Sequence, residues 1–329
     1  MAGMQRAQAS KWATLALLGL LLAILPGAAS AGSAQGSGVL VYASVRDAGV
    51  GAPVDQDVVA DLFTVRADGT GLRRLTRTWA WEQDPASSPD GKLIAYSRGY
   101  PHCHASTCEW GPLETNIWVM TADGRRQRRL TENYEDELAF EESPSWSPDG
   151  RRVAFVRSEV ADGADGIYVV GADGRGLARI SRAAATSLAW SPSGSTIAYV
   201  HESGRYVGLL DVSKGRARRL RASRLSWPES VEWSPRGQFL AIATGKAVYI
   251  VRAAGGAARK VVEARGADEV SWSPDGCCLA FSAMRKGARL GRTDVYVISV
   301  RGGRARRLTS NRGADFSPEW RPEWAVGSP

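Results

Sequence analysis

Four cysteines, three histidines and 34 acidic residues are the groups in this 329-residue chain that could carry chemistry. Cys103 and Cys108 lie in the segment His102-Cys103-His104-Ala105-Ser106-Thr107-Cys108. In an oxidising compartment such a pair predicts a disulfide that pins its own loop. A metal site built from His102 or His104 with both thiolates is the alternative, but the spacing is not that of a zinc finger and no fourth ligand is evident. Cys277 and Cys278 open an apolar run, where adjacent residues of a strand point to opposite faces. They are expected to be small buried hydrophobes, with a strained vicinal disulfide as the alternative. No Gly-x-Ser-x-Gly nucleophile motif is present, and His201 stands apart from the other two histidines, so a triad or a multi-histidine metal centre would be hard to assemble. The segment Asp162-Gly163-Ala164-Asp165-Gly166 resembles a calcium loop only faintly, since it lacks a closing bidentate glutamate. Nothing singles out a pair of acids for sugar hydrolysis. The expectation is no catalytic residue, no metal and no cofactor.

The elements that must position these groups come from an internal repeat. Ser-Pro recurs at 88–89, 147–148, 191–192, 234–235, 273–274 and 317–318, with spacings of 59, 44, 43, 39 and 44. That period fits a blade of four strands, about 40–50 residues long. Trp146, Trp190, Trp233 and Trp272 precede four of the pairs, Phe316 the last, and Ser87 breaks the pattern. After the first five pairs come apolar runs such as Leu93-Ile94-Ala95-Tyr96 and Val153-Ala154-Phe155-Val156, then second runs such as Ile117-Trp118-Val119-Met120 and Val295-Tyr296-Val297-Ile298. Each is short, β-branched or aromatic, and bounded by Gly, Pro, Asp or Ser, so each reads as a strand. The runs are apolar on both faces, as a sheet wedged between two others requires. Ser-Pro-Asp-Gly supplies a fixed proline φ and a glycine for positive φ, and Asp68-Gly69, Asp123-Gly124 and Asp173-Gly174 are hairpin turns of the same logic.

The strands of a blade are named A (Trp-Ser), B (Ala-Phe), C (Tyr-Val-Val) and D (Arg-Arg-Leu-Thr). The run Leu40-Val41-Tyr42 is a B strand with no A before it, and Asp315-Phe316-Ser317-Pro318 is an A strand with no B after it. The two deficits cancel if the C-terminal segment pairs back onto the first blade. The fold class expected is therefore all-β, a six-bladed β-propeller closed by that pairing, which removes the exposed end edges of an open array.

The connections are unequal. A–B and C–D turns are short and lie on one face; B–C and D–A connections lie on the other and are long in blades 1 to 3, at residues 46–61, 98–115, 77–84 and 132–142. Long loops on a rigid scaffold are where binding residues concentrate. The candidate binding residues on this face are Trp79, Trp81, Tyr100, Trp110, Tyr134, Glu135, Asp136, Glu137 and Phe140, aromatic anchors with an acidic rim.

Residues 1–31 read as a secretory signal: Arg6 and Lys11 are basic, residues 13–25 are an apolar run too short to span a bilayer, Pro26-Gly27 breaks it, and small residues follow. Residues 32–38 read as a linker and 39–329 as the propeller. The formal charge of +8 falls to +6 once Arg6 and Lys11 leave with the signal. Arginine dominates and clusters in strand D, the outer edge of each blade, where charge discourages sheet-to-sheet association. The basic residues follow the blade period and form no single patch, which argues against nucleic acid.

The unit Trp-Ser-Pro-Asp-Gly-x-x-Ile-Ala-Phe, then Ile-Tyr-Val, then Asp-Gly-x-x-x-Arg-Arg-Leu-Thr, closely resembles the TolB-type propeller repeat, also called PD40 or WD40-like. Residues 143–181 are the best copy and 269–309 the next. The resemblance implies a periplasmic or envelope setting and a protein-binding role, TolB itself binding the lipoprotein Pal, with the propeller alone present here and not the additional N-terminal domain of TolB. The reading is thus an exported, non-enzymatic propeller that binds a protein or envelope component through the long loops of blades 1 to 3. The alternative is a propeller hydrolase or lyase acting on a carbohydrate or small ester at the central channel.

Overall fold

The structure, a computed structural model, describes residues 38–47, 58–99, 101–104, 107–112, 114–132, 139–159, 165–285, 287, 292–311 and 313–322. The signal and most of the linker expected at residues 1–38 lie outside them. Every regular element among the described residues is a strand, and no helix there is long and apolar enough to cross a membrane.

The chain opens with β1 (Val39–Asp47), β2 (Val58–Arg66) and β3 (Arg73–Arg74), followed by β4 (Trp81–Ser87) and β5 (Leu93–Gly99). A hairpin of β6 (Pro101–His104) and β7 (Thr107–Pro112) leads to β8 (Asn116–Thr121) and β9 (Arg128–Arg129). Next come β10 (Ala139–Trp146), β11 (Arg152–Glu159), β12 (Gly166–Gly171) and β13 (Ala178–Ser181), then β14 (Ala185–Trp190), β15 (Thr196–His201), β16 (Val207–Asp211) and β17 (Arg216–Arg219). The short β18 (Ala222–Ser223) precedes β19 (Ser230–Trp233), β20 (Phe239–Thr244), β21 (Ala247–Arg252), the short β22 (Gly256–Ala257) and β23 (Arg259–Glu263). β24 (Asp268–Trp272), β25 (Cys278–Met284), β26 (Thr293–Ser299), β27 (Arg306–Arg307) and β28 (Asp315–Trp320) complete the chain.

Antiparallel meanders make four separate four-stranded blades, with orders β10-β11-β12-β13, β14-β15-β16-β17, β19-β20-β21-β23 and β24-β25-β26-β27. The arrangement is a β-propeller, but the separate blades number four, not the six expected. Of the other strands, eight form one sheet, ordered β28-β1-β2-β4-β5-β8-β9 with β3 on β2, while β6 with β7 and β18 with β22 make two-stranded sheets. Its two halves are fused by a single parallel pair, Ala60 with Trp81. The connection before β4 is drawn onto β2 by the Asp61 carboxylate, which accepts from Thr78 N (3.4 Å) and from Arg74 Nη2 (2.5 Å), while Thr78 Oγ1 donates to Glu82 Oε1 (3.0 Å).

The Ser-Pro-Asp-Gly turns are built by their own side chains. Ser88 Oγ donates to Asp90 Oδ1 (2.7 Å) and accepts from Leu93 N (3.0 Å), while Gly91, at φ 64°, closes the turn onto the Ser88 carbonyl (2.8 Å). Ser147 with Asp149 and Ser273 with Asp275 repeat the pattern. Each hairpin delivers a strand that is apolar on both faces: Val153, Ala154, Phe155 and Val156 are all buried. The core accordingly lies between neighbouring blades, as where Ala95 and Ile117 pack with Trp146 and Val153.

D-strand arginines also join neighbours. Arg73 Nη2 donates to the Asp123 carbonyl (2.9 Å), Arg259 Nη2 to the Val300 carbonyl (2.6 Å), Arg128 to the Ala172 carbonyl and Arg306 to the Ala67 carbonyl. The same position in successive repeats thus reaches the C–D turn of the next.

The expected return of the C-terminal segment is present. β28 pairs antiparallel with β1, Leu40 opposite Trp320 and Ser44 opposite Asp315. Arg321 N donates to the Val39 carbonyl (2.9 Å), Val45 N to the Ala314 carbonyl (2.9 Å) and Ser44 Oγ to Asp315 Oδ1 (2.5 Å). Leu40, Tyr42, Phe63, Val295, Val297 and Trp320 form one apolar cluster across this seam. Cys278 is buried in that cluster and Cys277 is half-buried against it. No disulfide joins the two, yet their side chains do not point apart as strand alternation would require: their sulfurs lie 2.8 Å from each other. The reason is that β25 begins at Cys278, so Cys277 still belongs to the turn.

Candidate functional site: an acidic axial channel

The first strands of the repeats, β4, β10, β14, β19 and β24, together with β28, touch one another in a closed circle. The Trp position of β28 is Trp320, opposite Leu40, and not the Phe316 expected from the Ser-Pro spacing; three residues before the Trp position of each strand (Ser87 in β4), the column reads Asp84, Ser143, Ser187, Ser230, Glu269 and Ser317. All six line one cavity of about 210 Å³. Local backbone geometry makes this possible. Strand pairing slips between Gln83 and Ala86, Glu142 and Ser145, Ala185 and Ser187, and Asp268 and Val270. Such bulges re-aim a side chain. At the slipped column Asp84 (φ 50°), Ser143 (51°) and Ser317 (48°) adopt left-handed backbone, a costly conformation for residues with a Cβ.

Asp84 ties three strands together. Its carboxylate accepts from Ser143 N (3.1 Å) on β10 and from Ser317 Oγ (3.0 Å) on β28. Glu269 Oε2 accepts from Ser282 Oγ (2.9 Å). Two residues further along each strand, Glu232 and Glu319 also face the cavity, Glu319 accepting from Ser271 Oγ (2.8 Å). Toward the B–C/D–A face lie Glu142, which accepts from Gln83 Nε2 (3.0 Å), and the exposed Glu229 and Asp268.

None of these carboxylates takes part in the ion pairs found among the described residues; those use Asp61, Glu82, Glu141, Asp294 and surface acids. Removal from water without a cation raises a carboxyl pKa. Burial pushes Asp84 up. It pushes Glu142 up to about 7, helped by the charge of Asp84, and Glu319 up to about 7. Glu232 and Glu269 lie well above the usual carboxylate range, first through burial, then through the charge of Glu319 on Glu232 and of Asp268 and Asp84 on Glu269. The channel can therefore attract a cationic group or donate and accept hydrogen bonds. Among the described residues no cluster of three or more His, Cys, Asp or Glu is arranged to hold a metal ion.

The residues expected from the sequence are only partly brought together. Trp79 stands exposed (49%) on the connection before β4. Trp81 lies in β4, half-buried, stacked on Phe316 with ring centroids 5.9 Å apart and donating from Nε1 to Gln83 Oε1 (2.7 Å). It pins its own strand. Phe140 is half-buried in β10. Tyr100, Tyr134, Glu135, Asp136 and Glu137 lie outside the described residues, and of Trp110 only its place in β7 is described. Cys103 and Cys108 occupy directly opposed positions of the β6–β7 hairpin. Sequence reasoning missed the axial acids and, among the described residues, the most exposed large aromatic, Trp227 (63%), on the connection before β19. Aligning the six repeats column by column ahead of each Trp would have exposed the Asp84 column.

An all-β propeller of Trp-Ser-Pro-Asp-Gly repeats with a polar axis defines the class. The model of the TolB β-propeller domain (PD40) matches residues 110–244 and 189–325, and the chain belongs to that family. A TolB homologue of Chlorobium luteolum is 32% identical over 146 residues, 42% of this chain and 33% of that protein, so the chain matches about a third of its curated relative's length. TolB from Acinetobacter baumannii superposes with a TM-score of 0.69 at 20% identity, covering 88% of this chain and 67% of that one. A nidogen/laminin complex is similar at TM-score 0.67 and 10% identity, over 87% of this chain and 99% of that one, a likeness of fold alone.

A carboxyl whose pKa is raised on folding stabilises the protein below its unfolded pKa, and that contribution is lost as pH rises through the folded value. The axial acids therefore make the fold more stable around pH 5 than around pH 8, the fall running from the usual carboxylate range through about 7. Asp90, Asp123 and Asp149, lowered by their Ser or Thr partners, act only at more acid pH. Urea midpoints measured at both pH values check this, and Glu319→Gln flattens the difference; greater stability at the higher pH contradicts it.

Proposed function

We propose that this chain is an exported, non-enzymatic recognition propeller of the cell envelope, released from its signal at residues 1–31, which binds a basic segment of a protein or envelope component on its B–C/D–A face. The observation that carries this reading is the charge arrangement. Carboxylates without cations, Asp84 and Glu269, line the cavity, Glu142 stands near Asp84, and Glu229 and Asp268 are exposed at the starts of their strands. The perimeter of the molecule is arginine-rich. An acidic recess inside a basic rim focuses field lines and draws a cationic group to the axis. Trp79 and Trp227 are exposed aromatics on D–A connections and supply anchors beside the recess. The reading keeps Trp110, Tyr100, Tyr134, Phe140, Glu135, Asp136 and Glu137, from the long loops of blades 1 to 3, as further candidate binding residues, with Trp81 as support. Membership of the TolB propeller family supports a protein-binding role. In this reading the eight-stranded sheet works as two blades, so that six inner strands surround the axis.

A second reading, turnover of a carbohydrate or small ester in the channel, draws on the same cavity, since concave sites with raised carboxyl pKa values are where acid–base chemistry is found. The channel acids are, however, tied to serine hydroxyls and backbone N–H groups of neighbouring strands, and no histidine stands among them.

Capture from envelope extract on the immobilised mature chain tests the main reading. Trp79→Ala and Glu229→Gln each weaken the captured partner's binding about tenfold, roughly 1.4 kcal/mol, and raising the salt concentration weakens it further. Retention by both variants with release of product from saccharides or esters supports turnover instead. The Cys103–Cys108 disulfide is retained as part of the proposal, fixing the blade 2 loop. Mass spectrometry without reductant yields a linked peptide; two free thiols reject the bridge.

A further inference from the structure

The face of short turns, opposite the loop face, carries a break in the repeat. At the third position of the Ser-Pro-x-Gly turns stand Asp90, Asp149 and Asp275. The β14–β15 turn has Ser193 there instead, and the β19–β20 turn has Arg236. These two turns are neighbours: Gly237 faces Pro192, whose Cδ would lie 3.7 Å from a Cβ at that position. A cavity of about 360 Å³ lies against both, with Ser193, Arg236 and Arg218 of β17 in its wall. Its counterpart between the β4–β5 and β10–β11 turns, about 460 Å³, has Asp90 and Asp149 in the corresponding places. One construction thus occurs twice, once acidic and once basic.

Arg218 departs from its equivalents as well. Arg73, Arg128, Arg218, Arg259 and Arg306 hold the same D-strand position, opposite Thr64, Val119, Leu209, Ile250 and Val297. The other four donate to carbonyls of the next C–D turn. Arg218 has no hydrogen bond or ion pair among the described residues, and neither has Arg236. The adjacent Arg219, in contrast, is engaged by the Arg205 carbonyl (3.3 Å) and the Tyr206 ring (4.8 Å). Arg218, Arg236 and Ser193 are all exposed, so a solute reaches them directly. No carboxylate lines the cavity, and the buried Leu209 and Trp233 make part of its wall apolar. Like charges beside a low-dielectric wall concentrate the field on an incoming anion. Ser193 Oγ lies 3.0 Å from Ser191 Oγ and 2.8 Å from Ser195 Oγ. Where the sibling turns present a carboxylate that repels anions, this hydroxyl has a proton to give.

We propose that this cavity binds a phosphate group, held by the Arg218 and Arg236 guanidiniums with the Ser193 hydroxyl as third donor. Guanidinium forks match phosphate oxygens in geometry and charge. The three donors come from three elements, and a tetrahedral group offers each a separate oxygen. A carboxylate has two oxygens in one plane, which a single guanidinium satisfies. The site lies on the A–B/C–D turns, so its success or failure is independent of the loop-face reading.

The test is titration of the ¹⁵N-labelled mature chain with inorganic phosphate and with glycerol 3-phosphate at constant ionic strength, with acetate as the reference anion. Saturable shifts of the Gly237 amide and of the Arg218 and Arg236 Nε–H signals are expected. Tighter binding of the free ion or of the ester tells which source of phosphate the site takes. Arg236→Asp weakens binding about tenfold, as loss of a charge-assisted hydrogen bond requires. That substitution installs the residue three sibling turns already carry, so the fold is kept. Arg218→Ala, at an exposed edge position, has the same effect. Absence of saturable shifts with either phosphate overturns the proposal. So do shifts that survive both substitutions, or an equal response to acetate.

Discussion

The antiparallel pairing of β28 with β1 is the contact on which the rest depends. Without it the first sheet lacks its inner strand, and the apolar faces of Leu40 and Tyr42 on one side and of Val295 and Val297 on the other lose Trp320 between them. Asp315 at this seam is buried and accepts from Ser44, while Asn311 reaches both. The same strand brings Ser317 to Asp84 and Glu319 to Ser271, so the strand that closes the circle also furnishes part of the channel wall. Closure and site are one construction: a ring open at the seam would have no axis.

Charge is separated by the geometry of the blade. Each repeat ends on an edge strand at the perimeter, and arginines there are solvated or donate to the carbonyls of the next C–D turn. Each repeat begins at the axis, and carboxylates there lose water without gaining cations. A chain with a formal charge of +8 therefore carries an acidic centre that net charge conceals. The buried pairs Arg98–Glu82 and Arg157–Glu141 (3.2 Å) are a different device, compensating acids within the sheets near the B–C connections.

Much of this was legible in the residues. The first five Ser-Pro pairs located turns, whereas Ser317-Pro318 lies inside β28; apolar runs located the middle strands, and the mismatch between an unpaired start and an unpaired end foretold the β1–β28 seam. The fusion of the first eight strands was not legible, because it rests on one backbone pair, Ala60 with Trp81, held by the Asp61 carboxylate. The axial acids escaped notice because regular alternation does not forecast where Asp84 or Ser143 points; a bulge and a left-handed φ decide it. Trp81 was read as a loop anchor, yet the strand extends back to include it and its ring packs on Phe316. Cys277 was read as strand, yet the turn holds it beside Cys278.

Native-state hydrogen exchange at the seam tests the account most directly. The amides of Arg321, bonded to the Val39 carbonyl, and of Val45, bonded to the Ala314 carbonyl, report on the two ends of the pairing. If closure holds the ring together, both exchange only through global unfolding, with protection equal to that of central amides such as Phe155 and following denaturant with the same slope. Exchange of both amides through a local opening that leaves Phe155 protected would contradict it, for the circle would then stand without its clasp.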